Sequence, residues 1–501
     1  MLTSYQRLTE RFLEIESLKD AISILNWDEA VMMPVGSGES RNRTVAELNS
    51  MAQSLTIAAD VGEWISDAMD RSSHLSEWER ANLREMKRIH RISTAVPVEL
   101  NHKLVLARMN CEQKWRALRA KNNWLEFMPY LSEVLELTRE SLQSLSDATG
   151  LALYDAALSL YSPGLTTASV ESLFAEIKGF LPELLGRVLE KQKSEKVLIP
   201  EGPFPMAAQK ALGAELMGTI GFDFHRGRLD ESHHPFCGGT RTDVRITTRY
   251  NEHDFIPALM GVLHETGHAV YEQNLPASWL GQPVGASAGM AIHESQSLTM
   301  EMQVCRSHEF MAFAEPYIRK HLGSHTRNPE SLSATNLGLL VSRVRPGFIR
   351  VDADEVTYPM HVILRFEIER DLLHGSLPLK DLPAEWDRRM RNYLNLSTQG
   401  NDRDGCMQDV HWPSGAFGYF PAYTFGAVIA AQLFEKLSET YPAARSKMAE
   451  GDFSDVQAWL SQNVWSQGSL KTTMELVESA AGPLSAAAFQ RHLIKRYQEG
   501  N

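Results

Sequence analysis

The chain has 501 residues, 43% hydrophobic and 23% charged, with a net charge of -13. That balance suits an ordinary globular protein and argues against broad contact with nucleic-acid phosphates, because no basic run offsets the negative total. The opening MLTSYQRLTERFLEIESLKDA is charged and amphipathic, without the apolar core of a secretion signal. No stretch approaches the roughly 18 unbroken apolar residues of a membrane span. Cys111, Cys237, Cys305 and Cys406 are scattered with no CxxC pair, which suits a reducing compartment. The expected setting is therefore the cytoplasm, with neither membrane nor nucleic acid as partner.

The first two hundred residues read as helical almost throughout. Tyr5 to Leu25 carries apolar residues at helical steps up to a break at Met32-Met33-Pro34, and a second helix should begin near Ser40. Ser76 and Glu79 form a capping box for a helix through Leu83, Met86 and Ile89. Further helices are predicted near 97–120, 125–147 and 167–192, separated by turns such as Ser162-Pro163-Gly164. Between about 221 and 250 the chain turns rich in Gly, His, Thr and aromatics, and Asp243 to Thr247 alternates. The prediction is a short strand or hairpin set walling one side of a cleft, with a plain connecting loop as the alternative.

The segment Ile256 to Gln273, IPALMGVLHETGHAVYEQ, contains His264-Glu265-Thr266-Gly267-His268, an HExxH pattern. Asp254 can cap a helix here, Pro257 suits its first turn and Pro276 stops it. Ile256, Leu259, Met260, Leu263, Gly267 and Val270 supply a buried stripe. Four residues apart on a helix, His264 and His268 can reach one ion, and Glu265 can act as general base toward water. The plainer alternative is a helix with two hydrogen-bonded core histidines.

A catalytic zinc usually takes three protein ligands. The class with a third histidine, HExxHxxGxxH, is excluded because Tyr271 and Asn274 occupy its glycine and histidine positions. Glu294 follows a run of Pro and Gly that can turn the chain back, and it opens a helix expected to reach about His308; it is the assigned third ligand. Glu272, four residues after His268, suits a partner that holds that imidazole, and His293 is grouped with it in support. Glu301, two turns beyond Glu294, is too far to share the ion; a solvated or supporting role is expected. From about 286 helices return, interrupted by a Gly-, Asp- and Pro-rich segment from about 398 to 426.

HETGH followed by HESQS resembles the carboxypeptidase Taq family of metallocarboxypeptidases. So do Asp243-Val244-Arg245-Ile246-Thr247, Ile349-Arg350-Val351-Asp352-Ala353-Asp354 and Gly405-Cys406-Met407-Gln408-Asp409-Val410-His411-Trp412. NWDEAVMMP, YDAALSLYSPG and GPLSAAAFQRHL extend the similarity over essentially the whole chain. The resemblance implies a mainly α protein: a large helical body with a deep substrate groove closed at one end by arginines, and a small β-sheet beside the HExxH helix. It also implies a homodimer.

The expected organisation is one domain over 1–501. A helical wall spans about 1–200, small strands about 221–250, a catalytic core about 254–426 and C-terminal helices about 427–501. The expected activity is hydrolysis of the C-terminal bond of peptides with a free C-terminus, with broad specificity. One Zn2+ per chain is expected, with Co2+ or Mn2+ able to use the same ligands.

A free carboxylate is best held by a guanidinium fork. Arg350 leads, Arg245 follows and Arg249 shares the work; a structural ion pair of Arg350 with Asp352 or Asp354 is the alternative. Similar zinc peptidases place a tyrosine and a histidine at the oxyanion, and Tyr423 and His411 in the irregular segment are assigned those roles. Asp409 is expected to orient His411, and Gln408 to bind substrate backbone. The competing functions are an oligopeptidase that cuts internal bonds and a non-catalytic peptide-binding protein with a structural metal.

Overall fold

Reciprocal side-chain caps start two of the first N-terminal helices. In the computed structural model, which describes residues 2–499, Thr3 and Gln6 exchange hydrogen bonds and a helix runs over Ser4–Val31. It continues through Trp27 and Asp28 to the predicted break. Ser76 and Glu79 do the same for Glu77–Ala95. The helices predicted near 97–120, 125–147 and 167–192 span Val98–Ala120, Trp124–Thr149 and Thr167–Gln192.

The protein is mainly helical, with one small sheet. Strands β1 (Gly227–Glu231), β2 (Phe236–Thr240) and β3 (Asp243–Thr248) lie in the order β1-β3-β2. β1 runs parallel to β3 with Leu229 opposite Ile246, and β2 runs antiparallel with Cys237 opposite the same residue. Val244 and Ile246 of β3 are buried, and β3 packs against the helix Ile256–Gln273. No helix among the described residues is long and apolar enough to cross a membrane.

The apolar core has two parts. Tyr5, Leu8, Phe12, Val61, Ile65 and Met86 form a small cluster within the first 95 residues. A large cluster runs from Ala107 in the helix Val98–Ala120 to Tyr497 near the end of the described residues. The two clusters separate at about residue 95, inside the expected helical wall of about 1–200. The contacts joining the two parts include a hydrogen bond from Asn82 Nδ2 to Gln282 Oε1 at 3.0 Å and the stacking of Trp78 on Trp279 at 5.7 Å.

Two further boundaries differ from expectation. The helix Met290–Leu298 does not run on regularly to His308; Thr299–Cys305 is wound as a π-helix. The irregular segment ends at Phe420, because Pro421 takes the first helical position of Pro421–Thr440, where its missing N–H costs nothing. Tyr423 therefore stands on the first turn of a helix, not in a loop.

Candidate active site

The helix Ile256–Gln273 begins as its sequence suggests, although Phe255 takes the cap position. Asp254 Oδ1 still accepts from Ile256 N at 3.1 Å. The helix is buried on nearly all sides rather than along one stripe. Gly267 explains how a neighbour comes so close: a Cβ there would lie 2.6 Å from Gln296 O and Ser297 Cα. Gly426 does the same from the third side, where a Cβ would lie 2.7 Å from Glu294 Cγ. Two bare positions let three helices close around Glu294.

His264, His268 and Glu294 offer ligand atoms within 4.8 Å of one another. Glu265, His268 and Glu294 are each 8% exposed. The outer nitrogen of each ring is taken. His264 Nδ1 pairs with Glu301 Oε2 at 2.9 Å, and His268 Nδ1 pairs with His293 Nδ1 at 2.7 Å. His293 Nε2 in turn meets Glu272 Oε1 at 2.8 Å. Both ligand rings thus direct Nε2 inward, and His268 Nε2 lies 3.6 Å from Glu294 Oε2. Glu272 reaches His268 only through His293, so the direct support expected from spacing is replaced by a two-step relay. Glu301 is buried, not solvated, and the π-turn carries it to His264.

The electrostatics favour a cation. Burial pushes the Glu265 carboxyl up to about 7 and raises Glu294 as well. Burial alone would lower His264, but Glu301, Glu294 and Glu265 lift it to about 10. Burial would raise Glu301, yet Arg306 and His264 hold it at about 2. Three carboxylates thus crowd one buried point with Arg306 as the nearby fixed positive charge, and this donor set fits a divalent ion.

These residues face a cavity of about 860 Å³. His264, Glu265 and Glu294 line it together with Phe236 and Cys237 of β2, Arg306, Arg350 and Tyr423. Arg350 does not pair with Asp352 or Asp354. Its Nε and Nη2 donate to Asp409 Oδ1 at 3.1 and 3.0 Å, its Nη1 donates to Tyr358 Oη at 2.7 Å, and it lies 4.8 Å over the Tyr423 ring. Tyr423 Oη is 3.2 Å from His411 Nε2, and His411 Nδ1 is 4.0 Å from Asp409 Oδ1. Burial brings His411 down to about 4, so that ring is neutral near neutral pH.

The other expected substrate residues stand away from this cavity. Arg245 is clamped by Asp243, with Nε at 3.0 Å from Oδ1, and lies 4.4 Å over Trp27, on whose ring Arg228 also rests at 5.1 Å. Arg249 is exposed beyond the end of β3. Gln408 turns inward: its amide donates to Phe348 O at 2.9 Å and accepts from Arg350 N at 2.8 Å, so it holds the Arg350 turn. Asp409, its side chain 12% exposed, sits between Arg350 and Arg365, which hold it well below the usual carboxylate range although desolvation alone would raise it. Sequence reasoning missed Arg365, fully buried in the helix Tyr358–His374, and Arg306 beside Glu301; neither lies in a recognisable motif.

The chain is similar to known proteins over nearly its whole length. Residues 7–497 match the model of the carboxypeptidase Taq (M32) metallopeptidases. The chain belongs to that family. It is 36% identical to thermostable carboxypeptidase 1 of Thermus thermophilus, with 99% of this chain and 98% of that protein covered. It is 32% identical to carboxypeptidase 1 of Bacillus subtilis, covering 93% and 92% respectively. The solved structure of Trypanosoma cruzi metallocarboxypeptidase 1 superposes with a TM-score of 0.96 at 39% identity, over 99% of each chain. The protein is thus an M32 metallocarboxypeptidase, a hydrolase of peptide bonds that uses a metal.

Proposed function

We propose that the chain is a zinc-dependent carboxypeptidase of broad specificity that releases single residues from the free C-terminus of peptides. The observation that carries this reading is the shared cavity, which the ligand cluster, Glu265 and Arg350 all line. His264, His268 and Glu294 would hold the ion through two Nε2 atoms and a carboxylate. The ion supplies a Lewis acid that acidifies water and polarises the scissile carbonyl.

Glu265 accepts the proton of the attacking water and returns it to the leaving amine, a role suited to a buried carboxyl near 7. Tyr423 donates its hydroxyl proton toward the developing oxyanion, and His411 behind it fixes the hydroxyl direction. Arg350 draws in the terminal carboxylate, while Asp409, Gln408 and Tyr358 hold its guanidinium in place. Only the last peptide bond then reaches Glu265. A homodimer in a reducing, cytoplasmic setting completes the proposal, supported by the family resemblance and four free cysteines.

The test is a timed digest of one peptide as free acid and as C-terminal amide, followed by mass spectrometry with and without chelator. Stepwise loss of single residues from the acid alone, stopped by chelator, is expected. Internal fragments from both peptides would establish an oligopeptidase instead, and no cleavage of either would establish a binding protein with a structural metal.

A further inference from the structure

The last described turn reaches back to the residues around the metal-ligand cluster. The helix Ala487–Ile494 packs on Pro421–Thr440 with Phe489 and Leu493 fully buried, and passes into a π-turn at Lys495–Glu499 that carries Arg496 and Tyr497. Lys191 Nζ donates to Tyr497 O at 3.2 Å, which ties this turn to the helix Thr167–Gln192. The turn is thus anchored by contacts that do not use the Arg496 side chain.

Arg496 is buried, and its Nη1 meets two acceptors. The first is Met302 O. The π-turn Thr299–Cys305 stops just beyond it, and the next two amides are used elsewhere: Arg306 N donates to Glu301 O and Ser307 N to Val304 O, each at 3.0 Å. A carbonyl at a helix end takes its partner from outside the helix, and Arg496 supplies one here. The second acceptor is Glu355 Oε2 at 3.1 Å, which also accepts from Tyr497 Oη at 2.9 Å, while His492 Nε2 lies 2.7 Å from Oε1. His492 and Arg496 hold the Glu355 carboxyl at about 2 although burial would raise it, so this group is a fixed anion.

The two acceptors belong to different parts of the site. Met302 follows Glu301, whose carboxylate pairs with His264. Glu355 lies between Arg350 and Tyr358, which are themselves joined by a hydrogen bond of 2.7 Å. Met302, Glu355, His264 and Arg350 all line the same cavity. We infer that Arg496 is a positioning residue: by fastening Met302 O to Glu355 it sets the separation of the metal-ligand cluster from Arg350, and so the seating of the substrate's last residue between them. The substrate half of this inference rests on the C-terminal reading above; the hold on the His264 side does not.

The experiment uses the full chain and three variants. Arg496→Met removes both bonds, Arg496→Lys keeps one donor group on a flexible stem, and Glu355→Gln removes the ion pair while leaving Met302 O its donor. Metal affinity is read by competition with a chelating dye, and kcat and KM are measured on a free-acid peptide with metal in excess. For Arg496→Met, metal affinity should fall about tenfold, the lower end of what partners behind a metal ligand contribute. Its kcat/KM should fall about 10–100-fold through misplacement of the substrate. Glu355→Gln should raise KM and leave metal affinity unchanged, and Arg496→Lys should recover part of the metal affinity that Arg496→Met loses. Should Arg496→Met fail to fold, the other two still decide, since Arg496→Lys must bind metal more weakly than wild type and Glu355→Gln must raise KM. Folded variants that lose only resistance to urea, with wild-type metal affinity or wild-type KM, overturn the inference. Internal cleavage of C-terminal amides by the wild type would defeat the C-terminal reading instead, and the dye competition, which uses no substrate, would still judge Arg496.

Discussion

Asp409 joins Arg350 to Arg365: Oδ1 accepts from Arg350 at 3.0 Å and Oδ2 accepts from Arg365 Nε at 2.6 Å. Arg365 is fully buried, and burial brings it down to about 10 even though Asp409 opposes that shift. Removing the carboxylate strands two buried guanidinium groups. Asp409→Asn should therefore cost about 3–5 kcal/mol of stability, read by denaturant unfolding. Adding Arg365→Met should recover part of the loss by deleting the stranded charge. If the double variant is no more stable than the single one, Arg365 is not the charge that Asp409 serves.

Glu265→Gln keeps the shape of the side chain and leaves His264, His268 and Glu294 in place. Metal content by elemental analysis should match wild type, while kcat falls by about 10²–10⁴-fold, the usual worth of a positioned acid–base group. Hydrolysis at the wild-type rate would remove Glu265 from the mechanism.

Glu301 is a different case, since it touches His264 and not the ion's position. Glu301→Gln should weaken metal affinity about 10–100-fold, measured by competition with a chelating dye, because the amide no longer fixes the His264 ring as a carboxylate does. Loss of activity that excess metal restores fits this role. Unchanged affinity would leave Glu301 as a partner of Arg306 alone.

How much of this was legible in the sequence follows from the range of each interaction. Local signals carried far: the Thr167–Gln192 boundaries, the Ser76–Glu79 cap and the His264/His268 spacing are all set within one or two turns. Glu294 could be placed because the Pro and Gly residues before it turn the chain back. The partners of the arginines were not legible, because Arg350 and Asp409 are 59 residues apart and the nearer carboxylates Asp352 and Asp354 looked equally eligible. Asp354 instead orders the turn that leads into the helix Tyr358–His374, accepting from Val356 N and Thr357 N. Arg245 misled for a related reason, since a strand position says nothing about Trp27, which reaches it from the first helix. The π-turn at Thr299–Cys305 has no sequence signature in a hydrophobic run, so the path of Glu301 to His264 emerged only from packing.

Gly267→Ala tests the close approach of the metal helix to the Glu294 helix. An added methyl 2.6 Å from backbone atoms cannot be absorbed by a side-chain rotation. A loss of about 1–3 kcal/mol or more is expected, together with weaker metal binding as Glu294 is pushed away. A variant of wild-type stability and affinity would show that the two helices can separate freely.

Glu369 supplies the pH dependence. It is fully buried, and burial pushes its carboxyl up to about 7 even though Tyr154 Oη, Trp412 Nε1 and Gly418 N all donate to it. Its ordinary value is 4.5. Between these two values the folded protein keeps a proton that the unfolded chain has already released, so stability falls as pH rises and levels off above about 7. The full effect is about 3 kcal/mol. Glu369→Gln has no proton to lose, so whatever it costs at pH 5 should be offset by up to that amount at pH 8, relative to wild type. Unfolding free energies of both proteins across this range decide the matter: converging curves support a buried carboxylic acid, and parallel curves mean that the three donors keep Glu369 ionised throughout. Because Trp412 directly follows His411 and Gly418 directly precedes Tyr419, the same variant should change kcat/KM for free-acid peptides in the pH range where its stability departs from wild type.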